Sequence, residues 1–318
     1  MQTWTAADIA SQTGKLVIVT GAMGGLGFET ALELARAGAE VILAGRNKEK
    51  GSVATQRIRQ QVASAKVHFE DADLGSLESI KAFASRMLNQ GRPIDILINN
   101  AGVMAPPKRG STIDGFELQF GTNHLGHFAL TGRLLPLMLR CDQPRVVTVS
   151  SLMHRMGGDI HFDDLQWTSR YKPNAAYAQS KLANLLFTFE LQRRSNANGW
   201  GLISNAAHPG AATTDLISNG AGMDKPLNMK FVSLIGHSAA AGALPTLYAA
   251  TSPDAKPMSY YGPKGLFELK GAVGPAIVSG KAKDPATATR LWDVSEELTD
   301  VRWPDTRSNS ALKNIAAQ

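Results

Sequence analysis

Two hydrophobic rhythms alternate along the chain. Short runs dense in β-branched and aliphatic residues, LVIVT, EVILA, KVHFE, DILIN, RVVTVSS and LISNAA, recur from Lys15 to Ala207. Between them lie longer stretches whose apolar positions repeat with helical period: about Gly25 to Ala37, Lys48 to Ala63, Leu77 to Asn89, a span within about 115 to 140, and Asn174 to Ser195. Strand, helix and strand in this order require right-handed crossovers. The pattern predicts an α/β fold, a Rossmann-type doubly wound parallel sheet of about seven strands with helices on both faces. Ligands of such sheets bind beyond the carboxyl ends of the strands.

The rhythm falters from about Ala211 to Lys283, where SNGAGMDKPLN, SPDAKPMSYYGPKG and GAVGP surround a small-residue helix expected near Ser238 to Ala250. No linker or repeat divides the chain, so residues 1–318 are expected to form one domain, with about 211–283 as a mobile substrate cap inserted in it. Met223, Leu227, Met229, Phe231 and Tyr261 in that cap suggest an apolar or aromatic ligand.

Composition narrows the class. Of 318 residues, 43% are hydrophobic and 19% charged, ordinary for a soluble globular chain. Lys and Arg number 33 against 27 Asp and Glu, but they are scattered, so no nucleic-acid surface is expected. The single Cys141 cannot form an internal disulfide and fits a reducing cytoplasm. No stretch approaches the roughly 18 apolar residues of a membrane span, and no membrane partner is expected. His124, His127, His154, His161 and His208 lack metal-site spacing and read as core or loop residues, while Asp163 and Asp164 read as a solvated loop.

Candidate chemistry begins where the first strand runs into TGAMGGLGFETALELARAG. Gly21, Gly25, Leu26 and Gly27 form a turn at a helix N-terminus, where free N–H groups and close backbone approach suit a pyrophosphate. The spacing is Gly-x-x-x-Gly-x-Gly after Thr20, which resembles the short-chain dehydrogenase/reductase family. The second strand ends EVILAGRN, with Gly45 and Arg46 where an NAD enzyme often carries an acid. An arginine fork suits a 2′-phosphate, so NADP(H) is the expected cofactor, with NAD(H) as the alternative. The resemblance also makes Asp73 and Leu74 an adenine-contacting pair and Asn100, Ala101 and Gly102 of NNAG a cofactor-side loop. It sets Pro209, Gly210 and Thr214 of HPGAATTD near the nicotinamide.

In AAYAQSKLANLLF, Tyr177 and Lys181 stand one helical turn apart. A free phenol has a pKa of about 10, so a cation at that distance is expected to bring it nearer working pH. Tyr260 and Lys264 repeat the spacing in SYYGPKG, but Gly262 and Pro263 between them oppose a helix. The resemblance implies that Tyr177 is the general acid/base, that Lys181 also holds the nicotinamide ribose, and that Ser151 steadies the substrate oxygen. Asn123 of TNHLGHF would help hold a water linking Lys181 to solvent. An asparagine inside a helix is mildly unfavourable and often marks a bend.

The interval from Ser151 to Tyr177 is longer than the family's usual one, and LMHRMGGDIHFDDLQWTSRYKPN resembles the loop of its retinol-dehydrogenase and protochlorophyllide-reductase-like branch. The expected function is NADP-dependent interconversion of a carbonyl and an alcohol by hydride transfer, in a homodimer or homotetramer. A protochlorophyllide-reductase-like enzyme is one alternative, although no cysteine follows Cys141. A non-catalytic NADP-binding redox sensor is the other, although it would have no use for the acid.

Overall fold

The computed structural model describes residues 3–156, 159–212 and 237–304. Its one sheet has the order β3-β2-β1-β4-β5-β6-β7-β8. The strands are β1 (Leu16–Thr20), β2 (Glu40–Gly45), β3 (Lys66–Asp71), β4 (Ile96–Asn99), β5 (Arg145–Val149), β6 (Ile203–Ala207), β7 (Tyr260–Pro263) and β8 (Val273–Pro275). Pairing is parallel through β7, and the short β8 closes the edge antiparallel, Tyr261 facing Pro275. The seven expected strands are thus parallel and an eighth is added. Strand order reverses between β2-β1 and β4, which opens a crevice at the carboxyl ends of β1 and β4.

Helices α1 (Gly25–Arg36), α2 (Lys48–Gln61) and α3 (Leu77–Gln90) follow the first three strands. Asn47 and Ser76 cap α2 and α3, each side chain accepting an N–H of the first turn. The stretch expected within 115–140 is not one regular helix. A short α4 (Leu118–Phe120) leads into a π-helical turn over Gly121–Leu125, and α5 (Gly126–Met138) continues from it. Asn123 sits inside the π turn, a local departure common at functional sites.

Helix α6 (Pro173–Asn198) starts with proline at its first turn and stops at Gly199 in the left-handed region, φ 67°. It is buried from Ala176 to Gln192, too deep for an amphipathic stripe. Its polar side chains are therefore bonded inward: Gln179 donates to Leu165 O, Asn184 to Val149 O, and Thr188 back to Asn184 O.

Part of the expected cap belongs to the sheet domain. Helix α7 (Ala239–Thr251) lies beside α1, and the β6-α7-β7 unit prolongs the same alternation. Its alanines and glycines allow close packing: a Cβ on Gly242 would stand 2.7 Å from the methyl groups of Ala212 and Leu26. Tyr261, expected to face a ligand, is buried in the core with Val19 and Leu247, and its hydroxyl accepts Lys256 N–H at 2.8 Å. Met223, Leu227, Met229 and Phe231 lie outside the described residues, as does Thr214. Helix α8 (Pro285–Thr299) packs on α6, with Trp292 stacked on Phe187.

Candidate active site

The glycine turn owes its shape to what surrounds it. Gly21 has φ +66°, and a Cβ there would stand 2.9 Å from Ala101. A Cβ on Gly27 would come within 2.5 Å of both Gly21 O and Asn100 Nδ2, so α1 can approach the turn only without a side chain. A groove of ≈ 400 Å³ opens over this turn, running from Arg46 and Lys50 past Asp73 to Gly102 and Thr122. A larger depression of ≈ 930 Å³ lies beside α2 and β3, lined by Glu40, Gln56 and His68, and contains none of the expected site residues.

Gly21, Gly25, Leu26, Gly27, Arg46, Asp73, Leu74, Asn100, Ala101 and Gly102 all line the smaller groove. Sequence reasoning missed Lys50, whose position four after Arg46 on a helix start was the available signal. A side chain at 45 would collide with the Met23 thioether, the methyl standing 2.2 Å from a Cβ there, so an acid at that point would have to displace it. Asp73 is held by its own turn, its Oδ1 accepting Gly75 N–H at 2.9 Å. Pro209 and Gly210 follow β6; Gly210 has φ +69° and lies against Leu269 O of the β7–β8 segment.

The four expected reactive residues are not among those lining the groove, but Asn123 and Lys181 lie directly behind its Gly102. Lys181 Nζ lies 5.6 Å from the centroid of the Tyr177 ring and donates to Val149 O at 3.0 Å. A Cβ on Gly102 would stand 3.2 Å from Asn123 Oδ1 and 3.7 Å from Lys181 Nζ, so both atoms border the groove floor. Ser151 faces the Tyr177 phenol closely enough to favour its ionised form. The two serines divide their work. Ser150 is buried and donates to Lys181 O at 2.8 Å, whereas Ser151 caps the short turn Leu152–Arg155 by accepting Met153 N–H.

Electrostatics departs from the expectation in one respect. Burial pushes the Tyr177 phenol up to about 12, only partly offset by the Ser151 hydrogen bond. The lysine is tuned as well: burial pulls Lys181 down to about 8. At neutral pH the ammonium is still mostly charged, so a cation stands beside the phenol.

Asn123 is held by its surroundings. Its Oδ1 accepts Val103 N–H at 2.7 Å, and its Nδ2 donates to Val103 O and to Ser180 Oγ, both at 2.9 Å. Its side chain ties the loop after β4 to helix α6. The histidines are mostly core residues. Burial holds His124 and His208 down at about 3. Among the described residues no group of three His, Cys, Asp or Glu side chains could hold a metal.

A dinucleotide crevice at the reversal of a parallel sheet, ending at a tyrosine, lysine and serine, defines a nicotinamide-dependent oxidoreductase of the Rossmann class. The chain belongs to the short-chain dehydrogenase family, whose model, described as short chain dehydrogenase, matches residues 15–223. It falls in the retinol-dehydrogenase-like branch of that family. It is 42% identical over 304 residues to human retinol dehydrogenase 13, covering 94% of this chain and 88% of the relative. It is 37% identical over 299 residues to polyprenol dehydrogenase of Danio rerio, covering 93% and 90%. A crystal structure of an uncharacterized protein from Mycobacterium paratuberculosis superposes with a TM-score of 0.79 at 44% identity, over 95% of this chain and 100% of that one. No helix among the described residues is long and apolar enough to cross a membrane.

Proposed function

We propose that the protein is an NADP(H)-preferring oxidoreductase that interconverts an apolar alcohol and its carbonyl, with Tyr177 as the acid/base. The observation that carries this reading is the Tyr177 phenol facing Ser151 and one helical turn from the buried Lys181, whose Nζ lies beside Gly102 of the glycine-floored groove. When bound, the nicotinamide supplies or accepts the hydride. Tyr177 gives its proton to the oxygen of the carbonyl being reduced, and a raised pKa keeps it protonated until it does. Ser151 donates to the same oxygen without ionising. Lys181 beside them offers a cation to the phenolate that forms and N–H donors to a ribose. Oxidation of the alcohol uses the same groups in reverse.

Arg46 and Lys50, both exposed beside the outer end of the groove, support the preference for a 2′-phosphate. An apolar substrate is supported by two observations. Leu266 and Phe267 are 77% and 75% exposed on the segment that packs against Gly210. The relatives are named for retinol and polyprenol, both apolar alcohols. A panel of ketones, aldehydes and alcohols followed by NADPH absorbance tests the reading. Turnover is expected with apolar and aromatic members. NADPH binding without turnover of any member would overturn it in favour of a sensor.

A further inference from the structure

His127 stands four residues after Asn123 in the first turn of α5, with only 1% of its surface exposed. Its Nδ1 lies 2.9 Å from Asn123 O and its Nε2 lies 2.9 Å from Thr20 Oγ1. A carbonyl can only accept, so Nδ1 carries the proton. Burial, with a smaller contribution from Lys181, lowers this imidazole to about 4, leaving the ring neutral and Nε2 a bare acceptor. The Thr20 hydroxyl therefore gives its hydrogen to Nε2, at 2.9 Å, rather than to Ile98 O at 3.3 Å.

Each end of this ring then meets the same loop. Thr20 Oγ1 accepts Asn100 N–H at 2.9 Å and Ala101 N–H at 3.0 Å. On the other side Asn123 holds Val103 through both atoms of its amide and reaches Ser180 Oγ, which donates to Tyr177 O at 2.8 Å. We infer that His127 is a positioning residue that clamps the groove-lining loop 100–103 from both ends, Nε2 through Thr20 on the cofactor side and Nδ1 through Asn123 on the Tyr177 side. The assignment of those two sides rests on the proposed function; the clamp itself rests on the hydrogen bonds alone.

The two nitrogens can be separated by substitution. The amide of His127→Asn reaches the place of Nδ1 and leaves Thr20 without its partner, while that of His127→Gln reaches the place of Nε2 and leaves Asn123 O. Losing one buried hydrogen bond of this kind corresponds to about a tenfold change in an equilibrium or rate. His127→Asn is expected to raise the NADPH dissociation constant, read by fluorescence titration, about tenfold while kcat with the best carbonyl of the panel stays within about threefold. His127→Gln is expected to lower kcat about tenfold with NADPH affinity kept. Equal effects of both variants on both quantities, or no effect of either, would overturn the division. Urea unfolding of the cofactor-free Thr20→Val, His127→Leu and double variants tests the clamp without turnover: non-additive losses are expected, and strict additivity removes it. A wild-type chain that binds NADPH but reduces nothing would sink the functional reading while the affinity arm and the unfolding cycle still decide the clamp.

Discussion

Replacing Lys181 with methionine isolates the cost of burying a cation at the base of this site. Burial takes the ammonium from its ordinary 10.5 to about 8. At about 1.4 kcal/mol per pH unit, the charged form costs the fold about 3 kcal/mol. The sign follows from the proton count. Below about 8 the lysine is charged in both states and the cost is fully present. Between about 8 and 10.5 the unfolded chain holds the proton that the folded one has released, so stability rises with pH; above that window the cost is gone. Methionine has a similar stem and no such term, though it forfeits the bond from Nζ to Val149 O. That loss offsets part of the gain at neutral pH. Urea unfolding of the cofactor-free wild type and Lys181→Met, at about pH 7 and about pH 9.5, gives the stability difference at each pH. Integrating the two proton affinities, wild type gains about 2 kcal/mol on the variant across that interval. Titrations elsewhere in the molecule cancel in the difference. A difference that stays flat with pH would refute the buried, strained cation.

Four other outcomes follow from the geometry. Arg46→Ala is expected to raise the KM for NADPH about tenfold or more while leaving that for NADH nearly unchanged; equal effects would remove the 2′-phosphate contact. Gly27→Ala puts a methyl 2.5 Å from Gly21 O, so it should cost about 1–3 kcal/mol in thermal or urea unfolding and weaken NADPH binding in a fluorescence titration. Ser151→Ala is expected to lower kcat about a hundredfold with NADPH affinity intact. Ser150→Ala, which loses the bond to Lys181 O and the interaction with the Tyr260 hydroxyl, should instead cost about 1 kcal/mol of stability and spare most turnover.

Much of this was legible in the sequence because the signals are local. LVIVT is β1 without adjustment, and the helix expected from Lys48 is α2. The glycine turn could be read because its strand-turn-helix setting is contiguous, and the helical spacing of Tyr177 and Lys181 likewise needs only α6. The first strand of the supposed cap was hidden for the opposite reason. Tyr260–Pro263 carries Gly and Pro, poor strand formers, and becomes β7 through pairing with Ala206 and Ala207. Its Gly262 is imposed by the His208 ring, which a Cβ there would meet at 1.9 Å, a constraint no local pattern reveals. The phenol was misjudged because spacing reports a neighbour's charge but not its burial. Tyr177 and Lys181 are both enclosed, and desolvation moves each toward its neutral form. The bond from Asn123 to Val103 was not legible because that loop partner arrives only through the fold.

The central claim is that Tyr177 delivers the proton while other residues hold the cofactor. Its most direct test is Tyr177→Phe, measured for NADPH affinity by fluorescence titration and for NADPH oxidation with a carbonyl that the wild type reduces. The phenylalanine keeps the packing of a ring that is 5% exposed and loses only the hydroxyl that faces Ser151. The account predicts a dissociation constant within about threefold of wild type and a kcat lower by about a thousandfold or more. Turnover that persists near the wild-type rate, with the cofactor still bound, would contradict it.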